Sequence, residues 1–178
     1  MGVHDSQEVR ATLAGNPSLP RDLVNRLSRD VSPLVRLQIA KRDDLTEEII
    51  QHLSSDSKED VRIEIAERDD LSDATIVILA SDKLKYIREA VAEYEDLPNV
   101  VKVALVNDKE ESVRELMAER WDLDEDLMRK LANDTDYIVR RNIALNEQAS
   151  DELIEMLAHD EDEDVRLAVQ HRLEDAVN

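Results

Sequence analysis

This sequence of 178 residues has no cysteine and no phenylalanine, two glycines, four prolines, three tyrosines and one tryptophan. Each shortage excludes something. Without cysteine there is no disulfide framework, thiol nucleophile or thiolate metal site. Gly2 and Gly15 are too few for a flexible linker or a glycine-rich phosphate loop. No stretch is apolar over the length a membrane helix needs, and no secretory signal precedes the first pattern, so an intracellular, cytoplasmic location is expected. Basic residues are scarce too: 23 against 43 acidic ones give a formal net charge of −20. Such a surface repels phosphate backbones and anionic membranes, which argues against both as partners. Arginine outnumbers lysine sixteen to seven, and the acidity fits either a basic partner or life in high salt.

What is present is a period. Val-Arg or Ile-Arg returns at positions 9, 35, 61, 87, 113, 139 and 165, a spacing of 26 residues without insertion or deletion. A fixed period of this size predicts one stack of identical supersecondary units over residues 1–178, with partial repeat seven starting at 165. In repeat two, Val35 and Ile39 are four apart, the spacing of one helical face, and the same holds for Val61 and Ile65, Ile87 and Val91, and Val139 and Ile143. This is helix A. Leu45, Ile49, Ile50 and Leu53 form a second set with helical periodicity, helix B. The sixth place is alanine in every complete unit (Ala14, Ala40, Ala66, Ala92, Ala118, Ala144), where a small side chain lets helices approach closely; Gln170 alone departs. The pattern predicts an all-α fold, an α-solenoid of about thirteen short helices.

The punctuation agrees. Place twenty-two is Asp30, Asp56, Asp82, Asp108, Asp134 and Asp160, each expected to cap the following helix A. Glu59, Glu111 and Glu163, three residues later, resemble the second half of a capping box. Helix B starts at Thr46, Ser72, Asp124 or Ser150, or at Pro20 or Pro98. Place two is always arginine: Arg10, Arg36, Arg62, Arg88, Arg114, Arg140 and Arg166. Two parallel rows of opposite charge predict a structural Asp–Arg ladder that ties the inter-helix turns together, a stronger expectation than an arginine-lined groove.

The first repeat, Asn16-Pro17-Ser18-Leu19-Pro20-Arg21-Asp22-Leu23-Val24-Asn25-Arg26-Leu27-Ser28-Arg29-Asp30 followed by Val35-Arg36 and Ala40, resembles the leucine-rich repeat variant family. The resemblance spans the chain. It implies a right-handed superhelix of paired short helices, one of them often 3₁₀, similar in appearance to HEAT repeats, with a general binding role and no catalytic residue to carry over. This unit is slightly longer than the family's. Arg42-Asp43, Arg68-Asp69 and Arg120-Trp121 replace Asn-Pro, which leaves helix B open to being α. A family member with a cysteine-bound iron–sulfur cluster is no guide to a chain without cysteine.

Chemistry is sparse. His4, His52, His159 and His171 form no helical pair at metal-ligand spacing, and His159-Asp160-Glu161-Asp162-Glu163-Asp164 lacks the glycine and spacing of a calcium loop. With acids at almost a quarter of positions, two close carboxylates do not mark acid–base catalysis. No nucleophile motif is present, and no cofactor and no enzymatic activity are expected. Met1-Gly2-Val3-His4-Asp5-Ser6 fits the loose N-myristoylation pattern, a match short enough to arise by chance.

Differences between repeats are more informative. Outward places of helix B are polar in repeats one, two and five: Asp22, Asn25 and Arg26; Glu48, Gln51 and His52; Asp126, Arg129 and Lys130. In repeats three and four they are Ala74, Val77 and Ile78, then Val100, Val103 and Ala104, which predicts an apolar patch on two adjacent helices. The competing reading buries these helices more deeply, and Lys102 at a core place favours it. Tyr94 and Trp121, at neighbouring places of the A-to-B turn, are a second candidate hot spot, against packing onto the adjacent turn. The expectation is a protein–protein interaction scaffold or adaptor, with a homodimer through helices B of repeats three and four as one form. The alternative is an acidic inhibitor or immunity-type protein that blocks a basic, nucleic-acid-binding partner.

Overall fold

Helix A forms because its apolar places one, five and six fall on one stripe, and that stripe is where the chain is driest. In the computed structural model Val35, Ile39, Val61, Ile65, Val113, Met117, Val139 and Ile143 are fully buried, and so are the alanines at place six. Helix B contributes Leu53, Leu79, Leu105, Leu131 and Leu157 from place nineteen. Burial of each such side chain stabilises by about 1.5–3 kcal/mol, so the packing of short helices, not their intrinsic propensity, holds them.

Residues 6–175 are described, and the opening segment 1–5, with His4 and most of the myristoylation-like match, lies outside the described residues. Among the described residues the chain has thirteen α-helices and no strand or 3₁₀ helix. Helices A are α1 (Gln7–Ala14), α3 (Pro33–Ala40), α5 (Glu59–Ala66), α7 (Lys85–Ala92), α9 (Glu111–Ala118), α11 (Tyr137–Leu145) and α13 (Glu163–Asp175). Helices B are α2 (Arg21–Leu27), α4 (Glu47–Ser54), α6 (Asp73–Leu79), α8 (Asn99–Val106), α10 (Glu125–Leu131) and α12 (Asp151–Leu157). Helix B is therefore α throughout, unlike the 3₁₀ partner the resemblance allows. The fold is an all-α solenoid of two-helix repeats.

Packing divides the chain into two compact units, Met1–Tyr94 and Glu95–Asn178, a division that the unbroken 26-residue period does not announce. In the first, α1 packs on α3, α3 on α5 and α5 on α7, while α4 packs on α6. In the second, α9 packs on α11 and α11 on α13, while α8 packs on α10. Each unit thus stacks helix A on helix A and helix B on helix B.

The caps correct one expectation. The place-twenty-two aspartates stand two residues before the N-cap of helix A, which is Ser32, Lys58, Leu84, Glu110 or Asp136. There each carboxylate accepts the N-cap residue's own N–H, as Asp30 does from Ser32 at 2.8 Å and Asp56 from Lys58 at 2.8 Å. These are Asx turns. Glu59 and Glu111 consequently open their helices as first residues, out of capping-box register, and they act only through the helix dipole. At helix B, Ser72, Asp124 and Ser150 are true side-chain caps that accept from Thr75, Leu127 and Leu153, whereas Thr46 occupies the cap position without such a bond.

Candidate functional site

The Arg and Asp rows meet, with a pairing that sequence order conceals. Five of the arginines fork onto the aspartate twenty residues ahead, not the one six behind: in the first unit Arg10 on Asp30 (2.7 and 2.9 Å), Arg36 on Asp56 (2.5 and 2.8 Å) and Arg62 on Asp82 (2.5 and 3.0 Å). In the second unit Arg114 grips Asp134 (2.6 and 2.8 Å) and Arg140 grips Asp160 (2.8 and 2.9 Å). The remaining guanidinium nitrogen donates to the backbone carbonyl six residues back, as Arg62 does to Asp56 at 2.8 Å and Arg88 to Asp82 at 2.8 Å. Arg166 makes that carbonyl contact to Asp160 at 2.6 Å. Asp108 accepts from Glu110 N–H and presents its own carbonyl to Arg114. One guanidinium so clamps two turns. The Arg10 bond holds Asp30 below the usual carboxylate range, and the Arg140 bond does the same for Asp160. At Asp56 and Asp82 burial pushes upward most strongly, but the arginine fork, the Asx-turn N–H and the neighbouring positive charges together outweigh it and the carboxyls again sit low.

A second row escaped the reading of the sequence. Place eight is Arg42, Arg68, Tyr94, Arg120, Asn146 or Arg172, and each donates back to carbonyls of the preceding repeat. Arg42 reaches Ala14 (3.0 Å) and Asn16 (2.6 Å), Arg68 reaches Arg42 (2.7 Å), and Arg120 reaches Glu95 (2.8 Å). Asn146 reaches Ala118 and Arg120, both at 2.8 Å, and Arg172 reaches Ala144 and Asn146. The signal that could have found it was there: every one of these side chains is a hydrogen-bond donor.

Tyr94 belongs to this row, and its place as a hot spot is corrected. Its hydroxyl donates to the carbonyls of Ala66 and Arg68, and burial, with Asp70 and Asp69 nearby, pushes its pKa up to about 12. The phenol is committed to the adjacent turn. Trp121, by contrast, is 67% exposed.

Helices α6 and α8 carry the other candidates. On α6 Ala74, Val77 and Ile78 are exposed, the last two by 40% and 38%. On α8 Val100, Val103 and Ala104 are exposed, the valines by 64% and 44%. The deeper-burial reading is therefore set aside. Lys102, its main support, is half-buried where its ammonium pairs with Asp122 at 2.6 Å, so an ion pair replaces an apolar contact without turning α8.

Little else is arranged for chemistry. Among the described residues no cluster of three carboxylate or histidine side chains is placed to hold a metal ion, and no helix is long and apolar enough to cross a membrane. An open depression of about 450 Å³ is bordered by Gly15, Gln38, Arg42 and Asp44, and its one buried charge, Arg42, is held by Asp44 at 2.8 Å and by carbonyls. Glu115 titrates above the ordinary range through burial and the charges of Asp136, Glu111 and Glu119, a crowding of like charges where α9 meets the start of α11.

No protein-family model matches the chain, and no curated protein does. Among solved structures it is similar to one described as a leucine-rich repeat variant with a novel repetitive protein structural motif. The TM-score is 0.74 and the identity 30%, over 96% of this chain and 68% of that one. The chain belongs to the leucine-rich repeat variant family. In this leucine-rich repeat variant the charged side chains that recur from repeat to repeat hold turns together, and the constant alanines lie in the core. Surface differences between repeats are left to distinguish one face from another.

Proposed function

We propose that this leucine-rich repeat variant is a non-enzymatic protein–protein interaction scaffold. One observation carries the reading: in the first unit α6 exposes Val77 and Ile78, and in the second α8 exposes Val100 and Val103, each at places where α2, α4 and α10 carry polar side chains. Exposed branched side chains set among carboxylates suit a partner surface that presents an apolar anchor rimmed by basic residues. A second copy of the chain is one form such a partner can take.

Molar mass by light scattering at low and high salt, alone and with a candidate partner, tests this on the native chain and on Val77→Asp and Val103→Asp. Assembly that persists in high salt and is lost in a variant of unchanged helicity supports the scaffold. Assembly untouched by both substitutions overturns it. Association that fades steeply with salt and ignores both substitutions supports instead an acidic inhibitor of a basic partner. That second reading draws on the ladder, which engages Arg10, Arg36, Arg62, Arg114 and Arg140 within the chain and leaves the surface to the acids.

A further inference from the structure

Trp121 is the chain's one tryptophan and stands two-thirds exposed at place nine, where a turn leads from α9 to α10. The same place in the repeats on either side is Glu95 and Glu147, both exposed. The three are held in step by the place-eight row: Arg120 donates to the carbonyl of Glu95, and Asn146 donates to the carbonyl of Arg120. Three cations lie by this edge, each turned onto other partners: Arg172 donates to the carbonyls of Asn146 and Ala149, with a longer contact to that of Glu147 at 3.5 Å. Arg120 and Lys102 converge on Asp122, at 2.8 and 2.6 Å. An exposed indole thus stands on the turn between those of two exposed glutamates, with no basic side chain at place nine of these repeats.

We infer that this edge of the second unit, Glu95, Trp121 and Glu147, docks an extended basic segment of a protein partner, with arginines at every third residue. The inference rests on the interaction-scaffold reading and names the partner's chemistry. A guanidinium is flat, weakly hydrated and attracted to an indole face, so the central arginine stacks on Trp121. The flanking two meet the carboxylates of Glu95 and Glu147 as forked pairs. The spacing follows from packing. Stacked helices repeat at about 8–10 Å. A polyproline II segment rises about 3.1 Å per residue with three residues per turn, so its residues i, i+3 and i+6 share one face about 9 Å apart. The ligand's own repeat matches that of the array.

The probe is a synthetic peptide of three arginines, each followed by two prolines, titrated into the full chain while emission from Trp121 is followed. A fluorescently labelled peptide gives affinity by anisotropy. The expected result is saturable quenching of Trp121, with binding weakened at least about tenfold by Trp121→Leu and again by Glu95→Gln with Glu147→Gln. A peptide of the same composition with its arginines contiguous should bind more weakly. Equal binding by the contiguous peptide, or by the variants, overturns the inference, because bulk charge alone then accounts for it. A chain that ignores the peptide yet still assembles through α6 or α8 loses this edge and keeps the scaffold role. A chain that does neither loses both.

Discussion

Ahead of helix A, the turns are tied by an arginine fork on an aspartate, and the residues are the same at the five rungs of Arg10, Arg36, Arg62, Arg114 and Arg140. Behind helix A they are joined by a donor on a carbonyl, and that donor is arginine, tyrosine or asparagine. The difference lies in the acceptor. A carboxylate in an Asx turn offers two oxygens in one plane, which only a guanidinium matches with two parallel bonds while a third nitrogen reaches the carbonyl behind. A backbone carbonyl asks only for one N–H or O–H at the right reach, so residue type is free to vary. A strictly repeated residue reports an exacting partner, and a varied one can hide an equally regular bond.

Acid separates the ladder most sharply from the uncharged place-eight rungs, Tyr94 and Asn146. The ladder carboxylates sit below their ordinary range in the folded chain, so the unfolded chain binds more protons as pH falls. Their stabilisation is complete above about pH 4, where unfolded aspartate is ionised, and drains as pH drops through the depressed values. In the place-eight row Tyr94 and Asn146 face carbonyls, which do not titrate, whereas Arg42, Arg68 and Arg120 also fork onto Asp44, Asp70 and Asp122, whose carboxyls sit low as well and share the acid loss. Urea midpoints should fall steeply below about pH 4, and a Glu-rich surface alone should not produce this in high salt. A midpoint flat down to pH 2 would remove the ladder from the account.

Next in size is the loss of one rung. Arg62 and Asp82 have side chains only 6% and 7% exposed, so Arg62→Ala strands a buried carboxylate and should cost about 3–5 kcal/mol in denaturant unfolding. Arg62→Lys should recover less than half of that, because an ammonium cannot fork. Full rescue by lysine would show that charge alone suffices and would dissolve the contrast with place eight.

The smallest effect is expected at that varied row. Tyr94→Phe removes a hydroxyl bonded to two carbonyls and should cost about 1–2 kcal/mol. Arg68→Asn should be milder than Arg62→Asn, since asparagine already serves at Asn146. A larger loss at Arg68 would mean its bidentate pair with Asp70, at 2.7 and 2.8 Å, matters more than its carbonyl bond.

The repeat architecture was legible because one period governs every level: Val35 and Ile39 mark helix A, Ile49, Ile50 and Leu53 mark helix B, and both lie buried. The cap position was misread by two residues, since an aspartate near a helix start looks the same whether it caps the helix or closes an Asx turn before it. Tyr94 and Trp121 look alike as aromatics at the end of helix A, yet a shift of one place commits the first to carbonyls and leaves the second in solvent. Exposure of Val77 and Val103 depended on how far each helix rolls, and Lys102 pointed the wrong way because its partner Asp122 lies twenty residues on.

The sequence by itself determined the period, the two helices of each unit and the residue types that hold the turns, because these follow from local spacing and side-chain chemistry. Only the tertiary structure decided which aspartate each arginine grips, which carbonyls the place-eight donors reach and which aromatic remains free. Those choices depend on contacts between residues 20 to 28 apart, and a backbone carbonyl, identical in every residue, leaves no mark in the sequence until packing brings a donor to it.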